Sequence, residues 1–266
     1  MSGNFVNPDL SGTTAVVTGG GRGIGAAIAR AFAESGSYVV VDGRHEDTLA
    51  KVCAQIVAAG GKASYVVGDV TDPVHLDELM AHAATVSGVI DVLVNNAGVA
   101  GPTAPLAEVT LDQWNETIAA NLTSVFLACR AALPYLRRAD RAKIVNIGSV
   151  TGKRPLVNRT PYAAAKIGVV GLTRTLAEEL GPDSISVNVI SPWLVGGDRL
   201  NGVIASMAEK RHLGPEALIS ELTQGTVFKR PTEEVDIARL ALFLGSPAAD
   251  NMTGQDINVS AGAVMY

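Results

Sequence analysis

The stretch that decides the fold is TAVVTGGGRGIGAAIARAFAESG, from Thr14 to Gly36. It begins as a short β-branched apolar run, passes through a cluster of glycines and ends in an apolar pattern with helical spacing. A strand, a glycine-rich turn and a helix in direct succession predict a loop whose backbone approaches a pyrophosphate. The free N–H groups and the positive dipole end of the helix favour the same ligand. A turn that holds no ligand is the weaker alternative in this context.

The rest of the chain alternates between strand and helix patterns. Strict alternation predicts a parallel sheet covered on both faces, and continuous hydrophobic runs suit strands that are buried on both sides. We therefore predict an α/β, doubly wound, seven-stranded parallel sheet in a three-layer sandwich. The predicted strands are 14–18, 38–42, 63–69, 91–97, 143–149, 186–191 and 256–260, and the helical patterns lie near 24–35, 46–59, 73–87, 111–138, 161–181 and 233–245.

The segment 193–228 breaks this rhythm. It is long, mixed in charge and without a strand pattern. Such an excursion is more often a lid or a binding segment than a plain connection. Because the chain shows no internal repeat, low-complexity tract or linker, we predict one domain over 1–266 with 193–228 as its substrate-binding segment.

The composition excludes several classes of function. The net charge is −5 over 266 residues with no basic stripe, which argues against nucleic acid as a partner. The start of the chain lacks the pattern of a signal peptide, and the apolar runs are interrupted well short of a membrane span. Cys53 and Cys129 have no CxxC partner, which predicts buried, reduced thiols and a cytoplasmic protein. His45, His75 and His82 show no metal-binding spacing, so we expect no metal site.

Tyr162 and Lys166 lie four residues apart in YAAAK, within a helical pattern, so their side chains share one helix face. A free phenol has a pKa of about 10, and an ammonium one turn away favours the phenolate. The pair is therefore a candidate for proton exchange, although two ordinary surface residues would show the same spacing. Ser149 ends a predicted strand, at the edge where ligands bind in such sheets.

These features together resemble the short-chain dehydrogenase/reductase family, and the resemblance covers nearly the whole chain. It implies a Rossmann fold that binds NAD or NADP and interconverts a ketone and a secondary alcohol by hydride transfer. The order and spacing of the motifs make the resemblance specific. The motifs are TGGGRGIG at 18–25, with Gly19, Gly23 and Gly25 in register, NNAG at 95–98, Asn121, Ser149 and Tyr162-x-x-x-Lys166.

The resemblance also implies the role of each residue. Tyr162 would exchange the proton and Ser149 would hydrogen-bond the substrate oxygen, on which negative charge grows as hydride arrives. Lys166 would hold the nicotinamide ribose, and Asn121 would fix a water in a proton relay. The implied cofactor contacts are Thr18, Gly19, Gly21, Arg22, Gly23, Ile24, Gly25, Arg44, Asp69, Val70, Asn95, Ala97, Gly98, Tyr162, Lys166, Pro192 and Val195.

The choice between NAD and NADP depends on the end of the second predicted strand. A carboxylate there would bond the ribose hydroxyls of NAD and repel a 2′-phosphate, and Asp42 is near that place. The resembled family carries its NAD-selecting aspartate one position later, where this chain has Gly43. Arg44 and Arg22 can form forked hydrogen bonds to phosphate, unless both are solvated surface charges. We predict NADP, with NAD as the alternative that Asp42 keeps open.

The substrate pocket is predicted from the segments after the fifth and sixth strands. Trp193 and Gly197 replace a glycine and a threonine of the resembled family, which leaves the carboxamide contact of the nicotinamide open. Trp193 suits a pocket wall and core packing equally well. Lys210, Arg211 and His212 are interpreted as a solvated helix face rather than as an anion site. The predicted substrate contacts are Val150, Thr151, Leu156, Trp193 and Arg199, the last of these for an anionic group.

The favoured function is an NADP-dependent oxidoreductase of a ketone and its secondary alcohol, with a polyol or a hydroxy acid as candidate substrates. A 3-oxoacyl thioester reductase is the first alternative, and its carrier partner would need a basic docking patch that the sequence does not show. A nicotinamide-sensing regulator is the second, and it would need the glycine loop but not Ser149, Tyr162 or Lys166. The small-residue helices 111–138 and 161–181 suggest, by resemblance, a homodimer or homotetramer. We expect no membrane partner.

Overall fold

The structure is a computed structural model that describes residues 8–266. The side chains of Asp198 and Arg199 lie outside this description, so the predicted anion contact of Arg199 is not located.

Seven parallel strands form one sheet in the order β3-β2-β1-β4-β5-β6-β7. The predicted doubly wound sheet is confirmed. From β1 the sheet extends through β2 and β3 on one side and through β4 to β7 on the other, so its switch point lies between β1 and β4. Ligands of such sheets bind at that point, beyond the carboxyl ends of the strands. The strands are β1 (Thr14–Val17), β2 (Tyr38–Gly43), β3 (Lys62–Val67), β4 (Val92–Asn95), β5 (Lys143–Ile147), β6 (Ser186–Pro192) and β7 (Asp256–Val259).

Helices cover both faces of this sheet, as the continuous hydrophobic strands require. Ala15 and Val17 of β1 belong to one hydrophobic core, whereas Val16 belongs to the core on the opposite face. Because successive side chains of a strand point to opposite faces of the sheet, each core lies against a different layer of helices. The helices are α1 (Gly23–Glu34), α2 (Glu46–Ala58), α3 (Pro73–Ala84), α4 (Leu111–Ile118), α5 (Ser124–Leu136), α6 (Thr160–Leu180), α7 (Asp198–Lys210), α8 (Pro215–Gln224) and α9 (Glu234–Leu244).

The single helical pattern predicted over 111–138 is divided in the structure. A π-helical turn, Ala119–Thr123, joins α4 to α5 and carries Asn121. The whole of Leu111–Leu136 is long and apolar enough to cross a membrane by length and composition alone, so the expectation that the apolar segments fall short of this length was wrong. Val125 and Ala128 of this segment are buried in the core, and core helices pass the same test of length and composition.

The segment 193–228 contains two helices, α7 and α8, rather than a strand. At its start the Trp193 N–H donates to the Val259 carbonyl of β7 at 3.1 Å, and an isolated bridge joins Val195 to Thr232. Ile204, Met207 and Leu218 form a small apolar cluster between the two helices, separate from both main cores. The excursion is therefore a helical pair with its own packing.

Candidate active site

The glycine loop joins β1 to α1 at the switch point of the sheet. Gly19 and Gly23 have φ angles of +65° and +58°, which residues with a Cβ adopt at a cost. A Cβ on Gly25 would lie 2.3 Å from the carbonyl oxygen of Gly19, closer than any atom can approach. These glycines therefore keep the loop folded tightly onto the start of α1.

The first turn of α1 has unsatisfied backbone donors. Arg22 occupies the N-cap position without a side-chain capping bond, and the first turn holds no acidic residue. The N–H groups that open a helix without such partners are suited to an anion, and the dipole favours the same charge. Ile24 in this turn packs partly against the core, which fixes the helix start in place.

Asn96, which the sequence analysis did not single out, ties this loop to β4. Its side-chain amide donates to the carbonyl oxygens of Thr18 and Gly19, at 2.9 and 3.2 Å. The Thr18 hydroxyl accepts in return from the backbone N–H groups of Asn96 and Ala97, both at 3.0 Å. The second asparagine of NNAG was the signal for this role, since a buried amide at a strand end must find partners.

Asp42 is directed inward rather than toward a ligand. Its side chain is fully buried, and one oxygen accepts from the Gly19 N–H at 2.7 Å. The other oxygen lies 3.1 Å from Nε2 of His75. Gly68 makes room for this ring, because a Cβ there would lie 2.1 Å from His75 Nδ1. With both oxygens engaged inside the protein, Asp42 is not placed to select NAD, and the reason for keeping NAD open is removed.

The buried pair makes stability depend on pH. The hydrogen bond that the His75 ring donates to Asp42 raises the pKa of His75 above its ordinary value, and burial raises the pKa of Asp42. The pair therefore holds its proton more tightly than the same groups do in the unfolded chain. For His75, the stabilisation is complete below the unfolded pKa of about 6.5 and is lost as the pH rises through the higher folded value.

We expect His75→Leu to lower the free energy of unfolding by about 1–3 kcal/mol near pH 6, since it leaves a buried carboxylate oxygen unpaired. The difference from the unmodified protein should shrink as the pH is raised, because the native pair loses its proton. Urea unfolding between about pH 6 and 9 measures this trend. His75→Gln keeps a polar group without titrating and should show a flatter pH dependence; equal slopes for all three proteins would contradict the linkage.

Arg44 and Arg22 are both exposed near this loop. Arg44 lies 3.9 Å from the carboxylate of Asp69, a surface pair that contributes little to stability. Burial opposes ionisation of Asp69, but the hydrogen bonds from Thr71 and the nearby Arg44 outweigh it and lower the Asp69 pKa. Asp69 thus remains a charged turn residue beside the arginine. The next residue, Val70, lines a small cavity with Thr18, Asn95, Ala97, Ser124 and Val125.

Asn95 contacts the core rather than the open edge of the sheet. Its amide donates to Asn146 Oδ1 at 2.8 Å, which joins β4 to β5, and lies 3.3 Å from the Cys129 sulfur. Asn146 donates in turn to Thr173 Oγ1 at 2.9 Å. Burial raises the pKa of Cys129 to about 12, so this thiol is unreactive. Asn95 therefore stabilises the centre of the sheet.

Tyr162 and Lys166 lie beside the carboxyl end of β5, the strand end that leads into Ser149. The Lys166 side chain is almost completely buried, donates to the Ile147 carbonyl at 2.8 Å and lies 5.8 Å from the centre of the Tyr162 ring. Ser149, two residues beyond Ile147, is also buried, and its hydroxyl accepts from the Thr151 N–H at 3.1 Å. The hydrogen bond of Lys166 thus connects the helix face of Tyr162 and Lys166 to the strand end that precedes Ser149.

Asn121 lies in the π-helical turn behind this group. Its amide donates to the Thr117 carbonyl at 2.9 Å, and its Oδ1 is buried with no hydrogen-bond partner among the described residues. Gly98 lies against it, since a Cβ at this position would be 2.5 Å from Oδ1. A buried acceptor without a protein partner is costly, and an ordered water commonly satisfies such an atom. Asn121 thus has a buried acceptor oxygen that no described residue satisfies.

Arg159, which the sequence analysis missed, lies over Tyr162. It precedes α6 directly, is 4% exposed, and its guanidinium carbon is 4.9 Å from the centre of the Tyr162 ring. It also donates to the Ala100 carbonyl at 2.7 Å and to Thr103 Oγ1 at 3.1 Å. No local pattern marks this arginine, because its partners come from a loop 56 to 59 residues away.

The predicted substrate side is built around Trp193. The indole is 4% exposed, packs in a small cluster with Val150 and Val264, and has no partner for its N–H within the described part of the chain. Leu156 packs against this cluster from outside, and Thr151 is buried beside it. The structure therefore supports core packing for Trp193, with a face toward the region of Ser149.

The charged residues of α7 divide between two roles. Arg211 pairs with Glu221 of α8 at 2.9 Å, as expected for a solvated helix face. Lys210 instead donates to the Thr103 carbonyl, which connects the helical pair to the loop that Arg159 holds. Pro192 is buried at the end of β6, and Gly197, in the place of the expected threonine, has a φ of +121° and begins α7.

Comparison with known proteins agrees with this geometry. The model of the short chain dehydrogenase family matches residues 13–206. The chain belongs to the short-chain dehydrogenase family. It is 38% identical, over 94% of its length and 93% of the relative's, to a hydroxy-methyl-oxo-hexahydro-indene-carboxyl-CoA reductase of Mycobacterium tuberculosis. It is 36% identical, over 97% of its length and 99% of the relative's, to a 3-oxoacyl-[acyl-carrier-protein] reductase of Synechocystis.

A solved structure is similar as a whole. A variant of actinorhodin polyketide ketoreductase, crystallised with NADPH, superposes with a TM-score of 0.91 at 32% identity, covering 98% of this chain and all of that one. As a short-chain dehydrogenase, the protein is an oxidoreductase with a Rossmann fold. The buried Asp42–His75 pair and the Arg159–Tyr162 contact are further features of the site in this chain.

Proposed function

We propose that the protein reduces a ketone to a secondary alcohol with NADPH, and catalyses the reverse reaction with NADP⁺, using Tyr162 as the group that exchanges the proton. The observation that carries the proposal is the position of Tyr162 and buried Lys166 beside the end of β5 that leads into Ser149, on the same edge of the sheet as the glycine loop. That edge is where ligands bind in doubly wound sheets.

The residues present fit a bound dinucleotide. The loop at Gly19 and Gly25 leaves no space for side chains, and the first turn of α1 offers unpaired donors for a pyrophosphate. The Lys166 ammonium donates to the Ile147 carbonyl and lies 5.8 Å from the centre of the Tyr162 ring, where it can serve a ribose at the same edge. When bound, the nicotinamide supplies or accepts the hydride.

The protein supplies orientation and the proton. During reduction, negative charge grows on the carbonyl oxygen of the substrate, and the Ser149 hydroxyl stabilises it by donating a hydrogen bond. The Tyr162 hydroxyl gives its proton to that oxygen, and the resulting phenolate is stabilised by Lys166. The Asn121 amide oxygen holds a water that returns a proton from solvent. Oxidation of the alcohol runs through the same groups in the opposite direction.

NADP is the cofactor that the loop after β2 favours. Position 43 is a glycine and therefore carries no carboxylate that would repel a 2′-phosphate. The carboxylate of Asp42 is hydrogen-bonded to Gly19 and His75. Arg44 and Arg22 are exposed on the adjacent surface and can bind a phosphate through forked hydrogen bonds. The similar ketoreductase structure also contains NADPH.

We expect Arg44→Ala to raise KM for NADPH by about tenfold and to leave KM for NADH nearly unchanged. The lost interaction is a charge-assisted hydrogen bond to a phosphate that NADH lacks. Steady-state kinetics with the two cofactors measures this difference. Arg137→Ala is the matched control, because Arg137 is about as exposed as Arg44 and pairs with Asp183 at the opposite edge of the sheet, before β6. Equal effects of Arg44→Ala on both cofactors would contradict the assignment of the 2′-phosphate to Arg44.

The substrate is proposed only as a class. The relatives are named as reductases of ring ketones and oxoacyl thioesters, which supports a carbonyl substrate. Polyol and hydroxy-acid substrates remain candidates of the same class. The 3-oxoacyl thioester alternative is not favoured, since no residue of this chain singles out a carrier. The regulatory alternative is not favoured either, because a sensor needs no buried Lys166 beside Tyr162.

The test is a turnover assay with purified protein. NADPH consumption is followed with a panel of cyclic ketones, 2-oxo acids and 3-oxoacyl thioesters, and NADP⁺ reduction with the corresponding alcohols and with polyols. Turnover of at least one ketone with NADPH is the expected result. Binding of NADPH without turnover of any member would favour the regulatory alternative.

We also propose that the protein assembles with copies of itself, as a homodimer or homotetramer. Phe126 of α5 and Ile167 of α6 are 46% and 44% exposed, although both are large and apolar. A second copy would cover this surface. Light scattering of the purified protein measures the assembly directly.

A further inference from the structure

The guanidinium of Arg159 is buried at the site without an acidic partner. The side chain is 4% exposed, and none of the described carboxylates lies within 4.0 Å of it in an ion pair. Its hydrogen bonds go to neutral oxygens of Ala100, Gly101 and Thr103. Burying a charge among neutral groups costs free energy, and burial lowers the pKa of Arg159 accordingly. Such a cation is expected to have a function.

The aromatic ring that faces this cation is the ring of Tyr162. The guanidinium carbon lies 4.9 Å from the ring centre, within the range of a cation–π contact. The Lys166 ammonium lies 5.8 Å from the same centre. Two positive groups therefore lie close to one phenol, and a phenolate is the anion nearest to both.

We propose that Arg159 is a positioning residue for Tyr162, which it holds by its ring and whose phenolate form it stabilises together with Lys166. This inference rests on the proposed function for its catalytic meaning, although the contact itself does not. The phenol reaches the substrate oxygen, whereas Arg159 acts through the phenol.

The loop 100–103 gives the contact its rigidity. Three hydrogen bonds hold the guanidinium plane against the backbone of this loop, so the plane cannot swing away from the ring. Lys210 of α7 donates to the Thr103 carbonyl, which joins the helical pair over 198–224 to the same loop. Arg159 therefore links the position of Tyr162 to a segment that a substrate would touch.

The other charged groups around Tyr162 are accounted for. Lys153, just beyond the strand end, is paired with Asp256 at 2.8 Å. Asp112 and Glu116 of α4, the helix packed against α6, are exposed. Among the described side chains, Arg159 and Lys166 are the cations in contact with the Tyr162 ring.

The test follows the ionisation of Tyr162 without relying on turnover. The ultraviolet absorbance of tyrosinate is titrated with pH, and the curve of a Tyr162→Phe protein is subtracted, which isolates Tyr162. In Arg159→Gln, this difference curve should move to higher pH, and kcat near neutral pH should fall by about threefold to tenfold, the range of a partly desolvated cation–π contact. KM for the substrate should change less than kcat.

Arg159→Lys keeps the charge and should restore part of both effects. Arg138→Gln is the matched control: Arg138 lies 5.2 Å from the Tyr135 ring, away from the site, and its loss should not move the Tyr162 difference curve. If Arg159→Gln is too unstable to titrate, the curve of Arg159→Lys, with a weaker ring contact, must lie at higher pH than that of the unmodified protein.

Two results would overturn the inference. If the tyrosinate curve of Arg159→Gln coincides with that of the unmodified protein, Arg159 only stabilises the loop 100–103. A rise in KM confined to anionic substrates, with the curve unmoved, would make Arg159 a substrate anchor instead. If the curve moves but the unmodified protein turns over no ketone, the proposed function fails while the contact between Arg159 and Tyr162 stands.

Discussion

Tyr162→Phe is expected to lower kcat for ketone reduction by about a thousandfold while NADPH affinity changes little. The substitution removes only the hydroxyl, so the ring still fills the space beside Arg159 and Lys166. A positioned general acid contributes about 10²- to 10⁴-fold to a rate, and the hydroxyl of Tyr162 is the group assigned to this role. Steady-state kinetics gives kcat, and quenching of protein fluorescence gives the cofactor affinity.

Tyr135→Phe is the control for this experiment, because Tyr135 lies on α5 with its own arginine contact outside the site. It should retain the activity of the unmodified protein. If Tyr162→Phe kept more than about a tenth of kcat, general acid catalysis by this phenol would be wrong. A protein that only senses the cofactor would be unaffected by the loss of the hydroxyl, so the same measurement separates an enzyme from a regulator.

The sheet could be predicted because its strands are buried on both faces. In β1, Ala15 and Val17 enter one core and Val16 the other, so every position is apolar and the strand reads as an unbroken run. All seven strands were found within a few residues of their ends, although the edge strands β3 and β7 are only partly buried. The division of the helix at Asn121 was missed, because a π-helical turn leaves no composition signal in an apolar helical pattern.

The candidate site was predictable where its residues share a local pattern. Tyr162 and Lys166 are one helical turn apart, and the glycines are confined to one loop, so spacing alone was informative. His75 and Arg159 could not be found in this way. His75 meets Asp42 across 33 residues, and Arg159 meets the loop 100–103 across more than fifty, which makes both contacts products of the fold.

The same contrast explains the uncertainty over Asp42. From the sequence, its carboxylate stood near the position of a ribose ligand. In the structure, its two oxygens accept hydrogen bonds from the Gly19 N–H and from His75. These bonds connect the cofactor loop to α3. Asp42 therefore supports the loop and does not contact a ligand. Only the folded structure reveals this role.

Gly25→Ala is expected to weaken NADPH binding by about tenfold or more and to lower the free energy of unfolding by about 1–3 kcal/mol, as overpacking of a close contact does. The added Cβ would lie 2.3 Å from the Gly19 carbonyl oxygen and 2.5 Å from the Asn96 amide nitrogen. The backbone of the loop must therefore move, and the hydrogen bonds that hold it to β4 must lengthen. Isothermal titration with NADPH and thermal unfolding measure the two effects.

Gly202→Ala is the matched control for the loop substitution. Gly202 lies exposed within α7, outside the surface proposed for self-assembly, and nothing lies within 4 Å of the position that its Cβ would take. Here the methyl group should stabilise the protein by about 0.5–1 kcal/mol, because alanine favours a helix over glycine. The two substitutions thus add the same methyl group and are expected to change stability in opposite directions. Full NADPH affinity and unchanged stability in Gly25→Ala would mean that the loop does not close on itself as tightly as the contact between Gly19 and Gly25 requires.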